Sequence, residues 1–325
     1  MNELPTLKDV AKEANVSVST ASYAINGSSL ITKETREKVL MAAKKIGYRP
    51  NASAKNLKKN KSEIIGFFLS GFTGPFFNEI LEGVQDVVIK NGYEMVVCAS
   101  NSKHRLLVES YVDGAIILNF HVDDHTIDFL ANEKMPIVAL DREMNNPHIK
   151  NVLLQNKVGI ELAVKHLVDN GHQRIGFIGG SYDSFDGEMR LAGYKESLKK
   201  YNVPFNEEDV IRARFTEISS LLVMDEYIKK NDIYPTAFVC ANDEMAMGAI
   251  KALQQNGISV PNNVAIVGFD DIALSKHFNP PLSTVRIQKK LWGKTAAEVL
   301  FKMLDKQYDF EPPEIPIEFI HRSSS

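Results

Sequence analysis

Three stretches of the sequence carry residue types that could do chemistry. "GFDDI" places Asp270 and Asp271 after an apolar run, where paired carboxylates could act as acid and base, or as a helix cap or ligand-orienting group. "GFIGG" has neither the dinucleotide-binding spacing nor a phosphate-loop lysine, which favours a tight turn. His166 and His172 lack the glutamate of a zinc-protease motif. We therefore predict no catalytic residue, no metal ligand and no cofactor.

A second set of residues has types that suit ligand binding. Phe72, Phe76, Asp141, Asn242 and Asp270 each follow a short apolar run of the kind that forms a parallel strand. Ligands of parallel sheets bind beyond the carboxyl ends of the strands. Aromatic faces can cover the C–H face of a polyol while carboxylate and amide groups hold its hydroxyls. The joint placement of these residues favours a sugar or sugar-phosphate ligand; the alternative for the phenylalanines is that they are core residues.

The elements that would position these residues begin near Ser62. Short apolar runs alternate with helical stretches such as "FFNEILEGVQDVVIKNG", which is the pattern of βαβ units with parallel, buried strands. Seven such runs and later crossing segments suit two lobes better than one sheet. The seven runs are "EIIGFFLS", "YEMVVCA", "GAIIL", "PIVAL", "RIGFIGG", "TAFVCA" and "VAIVGF".

Charge and composition restrict the class of protein. Residues 1–61 contain 12 Lys and Arg against 5 Asp and Glu, so a head of net charge +7 precedes a body of net charge −10. A basic terminal module of this size suggests a polyanion partner. No signal peptide or membrane-length apolar run is present, so we expect a cytoplasmic protein that does not contact a membrane. Cys98 and Cys240 stand alone in apolar surroundings and are predicted to be buried free thiols.

The basic head has the spacing of a three-helix DNA-binding unit. Thr6 and Asp9 form a capping pair for a first helix of about two turns. Ser17 can cap a second helix, although "VSVSTA" alternates like a strand, and "Asn26-Gly27" ends that helix. Thr32 can cap a third. Its apolar positions then complete the core: Val39, Leu40, Ala43 and Ile46.

The second helix presents small and hydroxyl side chains outward. Ala21 and Ile25 fall four residues apart on its inward face. Such an outward face can lie against a sugar-phosphate backbone without a steric clash, as in a helix-turn-helix. A helical bundle for protein contacts is the alternative, but it leaves the +7 charge unexplained. The outward-facing residues are Val18, Ser19, Ser22 and Tyr23.

At these residues the chain resembles the lactose/galactose repressor family. The resemblance rests on "TLKDVAKEANVSVSTASYAING", "TREKVLMAAKKIGYRPNASAKNL", "RLAGY", "ANDEMAMGAIKAL", "VAIVGFDDI" and "PPLSTVR", which occur in the family's order over essentially the whole chain. Two features depart from the family. Tyr23 stands where members usually carry Arg, and the segment from Asn101 to Val112 is short, with room for one short helix.

The resemblance implies a domain plan and a hinge. We expect a helix-turn-helix head at residues 1–49, a hinge helix at 50–61 and a two-lobed periplasmic-binding-protein-like α/β body at 62–325. The first lobe would comprise about 62–158 and 289–320, and the second about 159–288. In the family's dimer, paired hinge helices form on DNA, and Leu57 would wedge into the minor groove. A plain charged linker is the alternative for "RPNASAKNLKKNK".

The resemblance also completes the two predicted sets of site residues. Arg190 and Phe215 join the effector-binding set named above. The predicted DNA-binding residues are Thr6, Ser17, Val18, Ser19, Thr20, Ser22, Tyr23, Asn26, Asn51, Ala54, Lys55 and Leu57.

The resulting interpretation is a homodimeric repressor of carbohydrate-utilisation genes. It would bind double-stranded operator DNA and respond to a sugar-like effector between the lobes. Three alternatives remain open at this level. They are a global carbon regulator with a phosphorylated carrier protein as corepressor, a cytosolic sugar-binding protein, and a sugar-processing enzyme.

Overall fold

The computed structural model describes residues 5–49, 61–99, 104–109 and 111–325. The chain divides into two compact units, with the boundary between Ser62 and Glu63. The predicted hinge contacts lie outside the described residues: Asn51, Ala54, Lys55 and Leu57.

The first unit consists of three helices that each begin at a hydroxyl side chain. Thr6 donates its backbone N–H to Asp9 Oδ2 at 2.8 Å, which confirms the capping pair. Ser17 Oγ accepts the N–H of Thr20 at 3.0 Å, so a cap turns the alternating segment into a helix. Thr32 caps the third helix in the same way. The helices are α1 (Leu7–Glu13), α2 (Val18–Ile25) and α3 (Lys33–Ile46).

The core of the first unit differs from the prediction at Leu40. Val39, Ala42 and Ala43 are buried on one stripe of α3, and they pack against buried residues of α1 and α2. Leu40 is 47% exposed. It lies about 100° around the helix from Val39, away from the stripe, and lines an open surface hollow. The prediction that Leu40 closes the core is therefore wrong.

The second unit contains two sheets, as the alternating pattern predicts. The first is fully parallel, in the order β2-β1-β3-β4-β5. The second has the order β11-β10-β9-β8-β6-β7, with β11 alone antiparallel. The strands of the first sheet are β1 (Ile64–Leu69), β2 (Glu94–Ala99), β3 (Gly114–Leu118), β4 (Ile137–Ala139) and β5 (Ile149–Asn151). Those of the second are β6 (Ile175–Gly179), β7 (Val210–Arg212), β8 (Ala237–Cys240), β9 (Ala265–Asp270), β10 (Ser283–Ile287) and β11 (Ile317–Ile320).

Eight α-helices of the described ranges accompany these sheets. The first lobe contains α4 (Phe76–Lys90), α5 (Arg105–Val108), α6 (Asp124–Leu130) and α11 (Lys289–Leu304). The second contains α7 (Asn156–Asp169), α8 (Phe185–Lys200), α9 (Glu217–Lys230) and α10 (Asp243–Gln255). The short α5 matches the single short helix expected there.

Helix α11 belongs to the first lobe although it follows a strand of the second. It packs on α4, and the two backbones approach closely at Gly83. A Cβ atom at Gly83 would lie 2.1 Å from the carbonyl oxygen of Lys290. Only glycine allows this approach, so α11 is held tightly to the first lobe.

The following strand corrects the predicted lobe boundary. The sequence interpretation assigned residues up to 320 to the first lobe. Ile317–Ile320 instead pairs with β10 of the second sheet, with Thr284 opposite Ile320. The edge of β10 offers unpaired backbone groups, and β11 satisfies them.

The two cysteines differ in burial. Cys240 is buried on β8, as predicted. Cys98 is only half-buried because β2 is an edge strand. Across the described ranges, no helix combines the length and apolar character needed to span a bilayer.

Asp243, the first residue of α10, ties that helix to β10 and to the segment that follows β9. Its carboxylate is fully buried and accepts the Ile272 N–H at 2.8 Å, Ser275 Oγ at 2.6 Å and Thr284 Oγ1 at 2.5 Å. Burial raises the pKa of Asp243 to about 6, although these hydrogen bonds oppose the shift.

We predict that Asp243→Ala destabilises the body because three buried donors lose their acceptor. At ~1–3 kcal/mol for each unsatisfied group, the free energy of unfolding should fall by at least ~3 kcal/mol. Because the pKa of Asp243 is raised in the folded state, its contribution to the free energy of unfolding of the wild-type protein is greatest below about pH 4. That contribution declines as the pH rises through about 6. Urea unfolding at pH 5 and pH 7 measures both effects. Asp232→Ala, at an exposed position, is the control, and equal stability of the two variants would contradict the assignment.

Candidate DNA-binding surface and effector site

Helix α2 presents three of the predicted DNA-binding residues to solvent. Val18 is 44% exposed and Tyr23 is 47% exposed, and Ser19 is exposed between them. Ala21 and Ala24 on the opposite face are fully buried. The helix therefore has one face free to enter a groove.

Other residues of the predicted DNA-binding set take part in local hydrogen bonds. Thr20 Oγ1 lies 2.8 Å from Ser17 Oγ at the start of α2. Asn26 Nδ2 donates to the carbonyl oxygen of Ser22 at 2.8 Å, which closes the end of the helix. Thr6 Oγ1 donates to Asp9 at the start of α1. Ser17, Thr20 and Asn26 thus fix both ends of α2, whereas Thr6 fixes the start of α1.

The second unit contains a buried arginine held by three elements. Arg190 on α8 donates from Nε to Asn156 Oδ1 at 2.8 Å and from Nη1 to the carbonyl oxygen of Ala241 after β8. Its guanidinium carbon lies 3.9 Å from the centre of the Phe269 ring, at cation–π distance. Only 3% of Arg190 is exposed, so its charge depends on these partners.

Two carboxyl groups adjoin this arginine. Asp186 Oδ1, one helical turn earlier on α8, accepts Asn156 Nδ2 at 2.6 Å. Asp270 Oδ1, at the end of β9, lies 3.5 Å from Arg190 Nη1. Burial raises the pKa of both carboxyl groups, that of Asp270 to about 8, although Arg190 opposes the shift. We call this set the Arg190 cluster: Asn156, Asp186, Arg190, Phe269 and Asp270.

Asp270 has an unsatisfied acceptor. Its Oδ1 is buried without a hydrogen-bond donor, although the residue is only 4% exposed. An unpartnered buried oxygen is costly, so a ligand that donates a hydrogen bond here would recover that cost.

The adjacent Asp271 has a different environment, so the two carboxyl groups are not an acid–base pair. Asp271 Oδ2 accepts Arg286 Nε at 2.6 Å, and its Oδ1 accepts Arg322 Nη2 at 2.7 Å. Burial would raise the Asp271 pKa, but the hydrogen bonds from the two arginines bring it below its usual value. Asp271 is a structural anchor, whereas Asp270 adjoins Arg190.

Phe215 and Asn242 are joined in one arrangement beside the second sheet. Phe215 has a φ of 58°, a strained value for an aromatic residue. Asn242 caps α10 through the N–H of Met245 and donates Nδ2 to the carbonyl oxygen of Phe215 at 3.0 Å. The Phe215 ring lies against Gly180, where a Cβ atom would be 2.0 Å from Cζ. The glycine of "GFIGG" therefore makes room for this ring.

Asp141, a first-lobe residue of the predicted effector-binding set, has its own ion-pair partner. Asp141 is buried and accepts Arg142 Nε at 3.0 Å. Burial raises the Asp141 pKa; Arg142 opposes the shift, and the negative charge of Asp186 adds to it. The pKa of Asp141 in the first lobe therefore depends in part on the charge of Asp186 in the second lobe.

The two predicted first-lobe phenylalanines differ in their contacts. Phe76 packs edge-on against Phe77 and Trp292, with ring centres 5.3 and 6.4 Å apart. Phe72 is 62% exposed. Phe76 is thus in part a packing residue.

Sequence reasoning missed Asn156, Asp186 and Phe269. A signal existed for Asp186, because it precedes Arg190 by four residues and both lie on one face of α8. Asn156 is 34 residues from Arg190 and carries no local signature.

The two histidines contact different partners. His166 Nε2 lies 3.0 Å from Ser325 Oγ, and His172 Nδ1 lies 2.9 Å from Thr236 Oγ1. Burial lowers the pKa of both. Each histidine joins a helix or loop to a distant segment.

Comparison with known proteins places both units in one family. Residues 6–51 match the family described as bacterial regulatory proteins, lacI family. Residues 164–325 match the periplasmic binding protein-like domain. The transcriptional repressor PurR of Vibrio parahaemolyticus is 32% identical over 99% of this chain and 98% of its own length. PurR of Aliivibrio salmonicida is 33% identical over 99% of each chain.

Solved structures show the same architecture. A lac repressor dimer bound to operator and the anti-inducer ONPF superposes with a TM-score of 0.79 and 28% identity over 99% of each chain. The regulator CelR in complex with cellobiose gives a TM-score of 0.75 and 30% identity, over 99% of this chain and 100% of its own. These named relatives are regulators, and none is an enzyme or a phosphocarrier-dependent protein by its description.

The exposed face of α2, the two-lobed parallel body and the similarity over nearly the whole chain lead to one conclusion. The chain belongs to the LacI family of bacterial regulatory proteins and is a DNA-binding transcriptional repressor, not an enzyme.

Proposed function

We propose that this repressor binds a pseudo-palindromic operator as a homodimer and controls carbohydrate-utilisation genes. Val18, Ser19 and Tyr23 of each α2 would read base edges. A small sugar-like effector at the Arg190 cluster would set the operator affinity. Support comes from the exposed face of α2, from the operator-bound lac repressor dimer and from the cellobiose complex of CelR.

The observation that carries the effector proposal is Oδ1 of Asp270, which is buried and accepts no hydrogen bond. A sugar hydroxyl can donate to this oxygen and accept from Arg190 at the same time. The half-buried Phe215 ring lies against Gly180 and against Gly187 of α8, the helix that carries Arg190, and offers an apolar face there. A ligand that lacks the hydroxyl would leave the buried acceptor of Asp270 and the donor of Arg190 without a partner, so the site should discriminate strongly against it.

The charges of the site favour a neutral sugar over a sugar phosphate. Asp141, Asp186 and Asp270 all have raised pKa values because burial disfavours their charged forms. A phosphate would repel the ionised forms of these carboxyl groups and so would oppose the ionisation that hydroxyl donation to Asp270 favours. A neutral polyol avoids that repulsion.

A purine base is the second ligand class to be tested. The PurR relatives, at 32–33% identity, motivate it. A planar base with ring N–H donors could stack on Phe215 and donate to Asp270. A thermal-shift screen with ribose, cellobiose, other saccharides, hypoxanthine and adenine decides between the classes. A ligand at 100 times its Kd stabilises the folded body by ~2.7 kcal/mol.

We predict steeply salt-dependent operator binding by a dimer. Symmetric recognition helices require half-sites about one helical turn apart. The logarithm of the binding constant should fall with the logarithm of salt concentration, with a slope of about −0.9 for each neutralised phosphate. Fluorescence anisotropy at several salt concentrations measures the slope. Tight binding by a monomer would exclude the proposed arrangement.

We predict that Tyr23→Ala changes the preference among operator variants, because Tyr23 faces outward where base edges would lie. Loss of one base contact should alter discrimination at the contacted base pair by ~1–3 kcal/mol. Competition binding with a library of single-base operator variants measures it. Phe129→Ala is the control, since Phe129 is a 79% exposed aromatic residue of the other unit. An unchanged preference profile for Tyr23→Ala would refute base reading by this residue.

We predict that effector affinity rises with pH up to about 8. Asp270 is mostly protonated below its pKa of about 8, and hydroxyl donation to its carboxylate favours the charged form. Binding should therefore release a proton below pH 8, and affinity should level off above that pH. Calorimetric titration between pH 6 and 9, in buffers of different ionisation enthalpy, measures the release.

Asp270→Asn and Asp271→Asn form a matched pair for this test. Asp270→Asn should abolish the pH dependence and weaken effector binding. The ligand-free body should stay folded, because Oδ1 accepts no hydrogen bond and Arg190 keeps its hydrogen bonds to Asn156 and Ala241 when the 3.5 Å contact with Asp270 is neutralised. Asp271→Asn should lower the melting temperature, because it weakens the contacts with Arg286 and Arg322, but should keep the response to effector. Normal effector affinity in Asp270→Asn would remove Asp270 from the site.

A further inference from the structure

Lys289 is a buried lysine at the point where the chain crosses from the second lobe to the first. It is 2% exposed and is the first residue of α11. Lysine is almost never fully buried unless its ammonium is paired. Here Nζ donates to the carbonyl oxygens of Asp270 at 2.7 Å and Asp271 at 3.1 Å, and it lies 3.5 Å from Glu79 Oε1.

The partners of this ammonium belong to different lobes. Asp270 ends β9, and Asp271 follows it in the second lobe, whereas Glu79 lies on α4 of the first lobe. Lys289 itself starts the helix that packs on α4. One side chain therefore connects the end of the strand carrying Asp270 to the first-lobe helix pair.

The backbone that Lys289 holds is strained. Asp270 has a φ of 110° and Asp271 a φ of 49°, values that residues with a Cβ rarely adopt. This turn sends the two side chains to different partners, Asp270 toward Arg190 and Asp271 toward Arg286 and Arg322. By donating hydrogen bonds to both carbonyl oxygens, Lys289 stabilises the turn that directs the Asp270 side chain toward Arg190.

The contact with Glu79 differs from the other two. Its distance of 3.5 Å is longer than a hydrogen bond of normal strength, and the Glu79 side chain is 49% exposed. Solvent can therefore replace Glu79 more easily than the two carbonyl oxygens. A change in lobe orientation would alter this contact first.

We propose that Lys289 is the positioning residue that couples ligand binding at Asp270 to the relative arrangement of the two lobes, through Glu79. The coupling to effector rests on the proposed function of the Arg190 cluster. The second-lobe end of the link is the donation to Asp270 and Asp271, and the first-lobe end is the ion pair with Glu79. A ligand that displaces the Asp270 turn moves the ammonium relative to α4.

The first test concerns the ligand-free full-length protein. Lys289→Met keeps the chain length of the side chain but removes its charge, so the pKa of Asp270 should rise above about 8 in a carboxyl ¹³C NMR titration. Lys290→Met is the matched control, because Lys290 is half-exposed and pairs with Glu82 and Asp86 on α4. A packing role alone would leave the titration unchanged. An equal Asp270 pKa in both variants overturns the proposal.

The second test separates coupling from binding. Glu79→Gln removes only the first-lobe charge, so the Kd for the probe saccharide, ribose or cellobiose, should stay within about twofold. The saccharide-induced change in operator affinity should fall by about threefold to fivefold, the fold-change that corresponds to the upper part of the ~0.2–1 kcal/mol range of a half-exposed ion pair. Glu82→Gln, on the same helix and paired with Lys290, is the control and should retain the full response. A full response in Glu79→Gln overturns the coupling.

The two tests distinguish the two proposals. If neither saccharide stabilises the wild-type protein, the sugar-effector proposal fails for these ligands. The NMR titration still decides whether Lys289 acts on Asp270, because it needs no ligand.

Discussion

The body of this repressor is organised around a buried positive charge. The Arg190 guanidinium cannot be desolvated without acceptors. It finds them on α7 and after β8, and the Asp270 carboxyl at the end of β9 lies 3.5 Å from its Nη1. Phe269 covers one face of the guanidinium. The need to satisfy this one group brings the carboxyl ends of two neighbouring strands and two helices to the same point, which is the effector site that we propose.

Three acidic residues near this point have different roles because their partners differ. Asp243 has three donors and acts as a structural tie. Asp271 is paired with two arginines, which lower its pKa. Asp270 alone keeps a buried oxygen without a donor and has a raised pKa. Residue type is the same in all three, so the number of donors around each carboxylate separates the structural role of Asp243 and Asp271 from the ligand-binding role that we propose for Asp270.

The two units of this LacI-family protein match different domain types. The first matches the DNA-binding region of lacI-family regulators, and the second matches a periplasmic binding protein-like domain. The first unit buries small residues between α1, α2 and α3, which leaves one face of α2 exposed. The second unit places its charged residues at strand ends, and the first and second lobes are joined by crossing segments that include Lys289. A lysine at this junction links backbone strain at Asp270 to an ion pair on α4, which gives the body a physical means of transmitting occupancy between lobes.

The sequence by itself determined the elements whose causes are local. Hydroxyl caps set the starts of α1, α2 and α3, and apolar runs identified seven strands, because both signals depend on neighbours within a few residues. Family resemblance added Arg190 and Phe215. The tertiary structure alone decided that Asn156 and Lys289 join the site, that β11 pairs in the second sheet and that Leu40 faces out. Asn156 and Lys289 depend on partners at least 18 residues away, and β11 on a strand about 30 residues away; Leu40 depends on the exact orientation of its helix. Long-range packing and the satisfaction of buried charges set those outcomes, and neither is encoded in local spacing.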